Sequence, residues 1–128
     1  MEVRQSNEPI PFLEAEVTNG TGISFSPSTP TSIQLAPNTT YFASYNYIAC
    51  PTIVGLAVRV ILSLNSQFID QSLSLAPSLT DLSTVFTSAA GSAVFNTGPE
   101  PIQVLQLINN TTILTKFVSA NINLMQIG

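Results

Sequence analysis

Short runs of β-branched and aromatic residues alternate along the chain with clusters of Gly, Pro, Asn, Ser and Thr. That is the pattern of an antiparallel sandwich or barrel. It predicts strands over 12–18, 22–26, 32–36, 40–50, 53–64, 67–75, 83–88, 92–97, 101–109 and 117–127, and leaves little room for helices. Within TYFASYNYIAC, strict alternation sets Tyr41, Ala43, Tyr45, Tyr47 and Ala49 on one face and Phe42, Ser44, Asn46, Ile48 and Cys50 on the other. Both faces are substantially apolar or aromatic, so this strand is expected to be covered on both sides, by an opposing sheet or by another subunit.

In the next run, Leu56, Val58, Val60, Leu62 and Leu64 form a core face, with Ala57, Arg59, Ile61 and Ser63 behind them. Asn65-Ser66-Gln67 then predicts a tight turn and a hairpin. The final run opposes Val118, Ala120, Ile122, Leu124 and Gln126 to Phe117, Ser119, Asn121, Asn123, Met125 and Ile127. The second set is wettable but sticky, and suits a subunit interface better than open water. Leu73, Leu75, Leu79, Leu82 and Val85 trace a rough helical stripe, but Pro77 lies inside it, and strand, loop, strand is the preferred reading.

Residues 1–9 carry no apolar periodicity and are expected to form a flexible N-terminal arm, with a single domain over 10–128. A chain of 128 residues suffices for one core. The composition changes the picture in one respect: only 8% of residues are charged, far below the usual quarter, and 15 Ser and 14 Thr supply the polarity instead. With Arg4, Arg59 and Lys116 as the only basic residues, no phosphate-binding patch can be assembled, so neither nucleic acid nor an anionic lipid surface is an expected partner. No apolar run reaches the length of a membrane helix, and no basic stretch leads into a hydrophobic one at the N-terminus, so a soluble chain without signal peptide or membrane insertion is expected.

Candidate chemistry is sparse. The chain has no His, which removes the commonest general base and metal ligand, and leaves Cys50 without an activating partner. Glu2, Glu8, Glu14, Glu16, Asp70, Asp81 and Glu100 are scattered or terminal, and Glu14 and Glu16 read as a solvated outer edge. Thr18-Asn-Gly-Thr-Gly22 is a turn and lacks the Lys of a phosphate loop. No catalytic residue, metal site or cofactor is therefore expected. Cys50 reads as a small buried hydrophobe, and Arg59 as a member of a structural ion pair with Asp70 or Asp81. Asn19, Asn38, Asn109 and Asn110 each begin an N-glycosylation motif that matters only in a eukaryotic secretory pathway.

The segments IQLAPNTTYFASYNYIA (33–49), AVRVILSLNSQFIDQSLS (57–74), VLQLIN (104–109) and ANINLMQI (120–127), in that order, resemble the C-terminal head domain of collagen-like exosporium glycoproteins of the BclA type. That family is in turn similar to the tumour necrosis factor and complement-head jelly rolls. The resemblance spans roughly 20–128 and implies an all-β, antiparallel jelly-roll sandwich of about ten strands, tumour-necrosis-factor-like, that forms a homotrimer and caps a stalk on an endospore surface. It places the strand at 40–50 and the terminal strand in one inner sheet, which makes Phe42, Asn46, Ile48, Asn121, Asn123 and Met125 the candidate trimer interface. No Gly-X-Y repeat precedes the head, which departs from the family pattern. The expected function is that of a non-enzymatic structural surface protein, the head or tip domain of a spore exosporium or surface-filament protein. The alternative is an adhesin or phage fibre tip of the same fold that recognises a receptor or glycan through loops such as 26–31 or 76–82, although these loops hold no Tyr or Trp.

Overall fold

A computed structural model of the chain describes residues 2–4, 6–12, 14–19, 22–25, 28–51, 57–76, 86–111 and 115–128. The alternating runs form strands β1 (Glu2–Arg4), β2 (Pro9–Ile10), β3 (Glu14–Asn19), β4 (Ile23–Phe25), β5 (Ile33–Leu35), β6 (Thr40–Pro51), β7 (Val58–Leu64), β8 (Gln67–Ala76), β9 (Thr87–Asn96), β10 (Gln103–Asn109) and β11 (Thr115–Gln126), with no helix among the described residues. One sheet has the order β1-β11-β6-β9, with β3 also on β11; the other has the order β4-β5-β10-β7-β8, with β2 also on β10. The strand pairings are antiparallel except that of β3, which runs parallel to β11. From β5 onward the chain passes repeatedly from one sheet to the other, the winding of a jelly-roll sandwich.

Between the sheets lies the face of β6 that alternation assigns to the core. Tyr41, Ala43, Tyr45, Tyr47 and Ala49 are all buried, against Val58, Val60 and Leu62 of β7 and Ala120, Ile122 and Leu124 of β11. The tyrosines reach the opposite sheet with their hydroxyls, which must find partners when desolvated. Tyr41 Oη donates to Gly22 O (3.1 Å) and accepts the Ala36 N–H (3.0 Å). Tyr45 Oη donates to Ser72 O (2.5 Å) and lies 2.8 Å from Ser74 Oγ. Ser72 stands at an irregularity where β7 and β8 lose register between Val60 and Leu62, and its Oγ accepts the Leu62 N–H (2.8 Å) in place of a ladder carbonyl.

The β7–β8 hairpin closes as predicted. Leu64 pairs with Gln67, and Asn65 and Ser66 both take positive φ (52° and 68°), the mirror-image two-residue turn whose twist suits a hairpin.

Five readings change. Glu2–Arg4 and Pro9–Ile10, expected within or beside an arm, pair with β11 and β10 as edge strands, because a three- or two-residue addition to an existing edge needs no periodicity of its own. The runs 83–88 and 92–97 read as separate strands in the sequence; Thr87–Asn96 is one strand that continues through Gly91. There Gly91 pairs with Tyr45, and an added Cβ would stand 2.5 Å from the Tyr45 hydroxyl, so the glycine makes room for the ring. In β11 a register shift between Phe117 and Ser119 returns Phe117 to the core, 3% exposed, instead of the outer face. Arg59 is exposed, so its charge stays hydrated and calls for no buried ion pair; Asp70 is also exposed, and Asp81 lies outside the described residues. Cys50 is half-buried and free, not sealed in the core.

Candidate interaction face

β6 is the central strand of its half of the sandwich, and every second residue of it points away from the core. Its outward positions meet those of β11 and β9 in register. Met125, Phe42 and Val94 form one row across the sheet; Asn123, Ser44 and Ser92 the next; Asn121, Asn46 and Ala90 a third; Ser119, Ile48 and Ser88 a fourth. All six residues expected at an interface therefore lie on one face. Phe42, Asn46, Ile48, Asn123 and Met125 are exposed and Asn121 is half-buried.

The strand reading missed the β9 column, Ser88, Ala90, Ser92 and Val94, because the break expected near Gly91 hid its alternation. The signal was present: Thr87, Ala89, Gly91, Ala93 and Phe95 are the partly or fully buried set, and Ser88, Ala90, Ser92 and Val94 between them are exposed.

Two properties set this face apart. Four large apolar side chains on it are open to solvent, Phe42 at 37%, Ile48 at 40%, Met125 at 45% and Val94 at 52%. Its polar positions are Ser and Asn, and across β6, β9 and β11 the one charged residue is Lys116, opposite Cys50 at one end. Uncharged amides and hydroxyls are desolvated at far lower cost than carboxylates or ammonium groups. The backing is rigid, since Tyr45 and Tyr47 under the same strand are held by burial and by hydrogen bonds. Desolvation pushes the Tyr45 hydroxyl up to about 12, and Tyr47 is raised by the same cause.

Elsewhere the surface offers little chemistry. Among the described residues no three His, Cys, Asp or Glu side chains come together as a metal site. An open groove of about 600 Å³ lies at the end of the sandwich, lined by Leu64, Asn65, Gln67, Asn96, Gly98, Glu100 and Ile102. Much of its polarity is spent internally. Asn65 Nδ2 donates to Gln103 Oε1 (2.7 Å), Asn65 Oδ1 accepts the Val104 N–H (2.8 Å), and Asn96 Oδ1 accepts from Thr40 Oγ1 (2.5 Å). Among the described residues no aromatic side chain lines it. Of the loops expected to meet a receptor, 28–31 are described, whereas 26–27 and 77–82 lie outside the described residues.

The glycosylation motifs separate by burial. Asn38 is exposed on a turn with φ 53°, but Asn109 is fully buried, with its amide in use, and cannot carry a glycan in the folded protein. The side chains of Glu14, Glu16 and Asn19 lie outside the described set, although β3 itself is an edge strand, as an outer edge requires.

No family model matches the chain, and no curated protein matches its sequence. Among solved structures it is similar to a family 35 carbohydrate-binding module from an environmental isolate, with a TM-score of 0.41 and 16% identity over all of this chain and 93% of that one. A superposition at that level carries no inference about a ligand.

Proposed function

We propose that this chain is a non-enzymatic structural head or tip domain that forms a homotrimer through the outer face of β11, β6 and β9, displayed on a spore exosporium or surface filament. The observation that carries the reading is the face itself, where Phe42, Ile48, Val94 and Met125 stand exposed in register among Ser and Asn, with Lys116 as its one charge at the end. Covering the four rows from Met125–Phe42–Val94 to Ser119–Ile48–Ser88 with a second copy removes apolar area from water without covering a charged residue of these three strands, since Lys116 lies beyond them. Closing a three-membered ring satisfies all copies with one kind of contact. The number three and the surface setting come from the resemblance of segments 33–49, 57–74, 104–109 and 120–127 to BclA-type heads. Asn46, Asn121 and Asn123, in the middle of the face, would fix the register of the contact, and Phe42, Ile48 and Met125 would supply most of its energy.

Surface display is tested by antibody labelling of intact spores or cells of the source organism. The reading expects label without permeabilisation; label that appears only after permeabilisation would overturn it. A second reading, receptor or glycan recognition at the loop end, is favoured by the open groove beside Asn65, Gln67, Asn96 and Glu100. Its weakness is that the described lining residues include no aromatic platform. Titration with a glycan array separates the two, since a head that works only by assembly binds none.

A further inference from the structure

The outward side of the β4-β5-β10-β7-β8 sheet holds a small polar cup with one aromatic wall. Three of its members stand in a row across the strands: Gln106 of β10 pairs with Ser63 of β7, and Ser63 with Phe68 of β8. Their strand neighbours Leu105, Leu107 and Leu62 are core residues, so alternation turns this row away from the core. Ser66, in the two-residue turn after β7, bounds the cup at one end. Ile108 bounds it at the other, with Pro9 paired beside it and Asn7 next to that. The cavity measures about 240 Å³, room for one small ring and too little for a drug-sized molecule.

The cup has depth. Ser63 and Ile108 face outward yet are only 2% and 6% exposed, whereas Phe68 keeps 47% of its surface open. Its polar groups are held in place. Gln106 Nε2 donates to Ser32 Oγ (3.1 Å), which orients the amide and leaves Oε1 to accept. The Asn7 N–H donates to Asn109 O (2.7 Å), which fixes the turn that carries the exposed Asn7 amide. The hydroxyls of Ser63 and Ser66 can each donate and accept. Among the described residues that line the cup, none is charged.

This lining is selective. A charged ligand finds no countercharge in it, and a wholly apolar one would cover the Gln106 amide and the serine hydroxyls without replacing their water. Phe68 has no hydroxyl, so it offers only the face of its ring. A pyranose has the matching asymmetry, with C–H groups on one face and hydroxyls around its edge. We propose that the cup binds one neutral pyranose unit, with its C–H face on Phe68 and its hydroxyls on Gln106, Ser63 and Ser66. The cup lies on the sheet opposite the β11-β6-β9 face, so a sugar held there leaves assembly untouched. Among the described residues it shares no lining side chain with the loop-end groove.

The test is an NMR titration of the isotope-labelled full chain with the methyl glycosides of glucose, galactose, mannose and N-acetylglucosamine, with sorbitol as the acyclic control. At least one glycoside is expected to give saturable shifts centred on Ser63, Ser66, Phe68 and Gln106, with a Kd in the millimolar range that suits one small ring, and sorbitol none. Phe68→Ala removes a half-exposed ring and should raise that Kd about tenfold. Ser66→Gly keeps the positive φ of the turn, deletes only the hydroxymethyl group and should raise it about threefold. Leu75→Ala, exposed on the same sheet outside the cup, should leave it unchanged. No saturable shift with any of the glycosides, an equal response to sorbitol, or a Kd that neither Phe68→Ala nor Ser66→Gly alters would overturn the proposal. Shifts centred on residues 96–102 would also overturn it, and would assign the sugar to the loop-end groove instead.

Discussion

The outer faces of the two sheets are built on the same alternation, yet they present different chemistry. On the β11-β6-β9 side, exposed Phe42, Ile48, Val94 and Met125 stand among Ser and Asn. The other sheet also exposes Phe68, Leu73 and Leu75, but Arg59 and Asp70 stand exposed on the same strands, and Arg59 pairs directly with Leu75. Its further outward apolar pair, Ile61 opposite Ile108, is already buried, at 3% and 6% exposure. The lesson is that exposed apolar residues alone do not mark a contact surface. A face whose one charge, Lys116, stands at its end can be dried at small cost over the rest, and one holding Arg59 and Asp70 among its apolar residues cannot.

The largest effect should come from placing a charge on the first face. Met125→Glu or Phe42→Glu is expected to abolish self-association, read as a fall to the monomer mass in sedimentation, while Leu75→Glu on the opposite sheet leaves the mass unchanged. Equal effects from both sides would erase the distinction between the faces. Beneath the first face, Gly91→Ala would drive a Cβ to 2.5 Å from the Tyr45 hydroxyl and 2.8 Å from Ser72 O, and should cost about 2–4 kcal/mol in urea denaturation.

Next comes the hydroxyl of Tyr45. Its folded value of about 12 lies above the ordinary 10, so the native state holds the proton more tightly than the unfolded chain. Stability from this group is therefore complete below pH 10 and is lost as the pH rises from 10 to 12, by roughly 2–3 kcal/mol. Tyr45→Phe should flatten that alkaline limb, although Tyr47, raised in the same direction, will keep part of it. Smallest of all, Arg59→Gln should change stability by less than about 0.5 kcal/mol, because the guanidinium is already in water. A loss of several kcal/mol would restore the ion pair that the sequence suggests.

Long strands with strict alternation were legible in the sequence, and so was the facing of β6: each Tyr inward, each candidate residue outward. The same is true of the Asn65-Ser66 turn, where local chemistry decides the geometry. What escaped the sequence were features fixed by a partner in space. Gly91 reads as a break until Tyr45 fills its place, the shift beside Val118 sends Phe117 inward against the alternation, and β1 is a strand only because β11 offers an edge. Arg59 reads as a buried charge because its neighbours are apolar, but burial depends on which face the strand turns to solvent. The shared outward facing of the six candidate residues was legible for the same reason as the core, since one period-two pattern generates both faces. The β9 column was lost with the misplaced break.

The most direct test of the central claim is the solution mass of the unmodified chain, measured by light scattering during size exclusion at micromolar concentration. Assembly through the β11-β6-β9 face predicts about three times the 13.6 kDa chain mass. A clean monomer would contradict it.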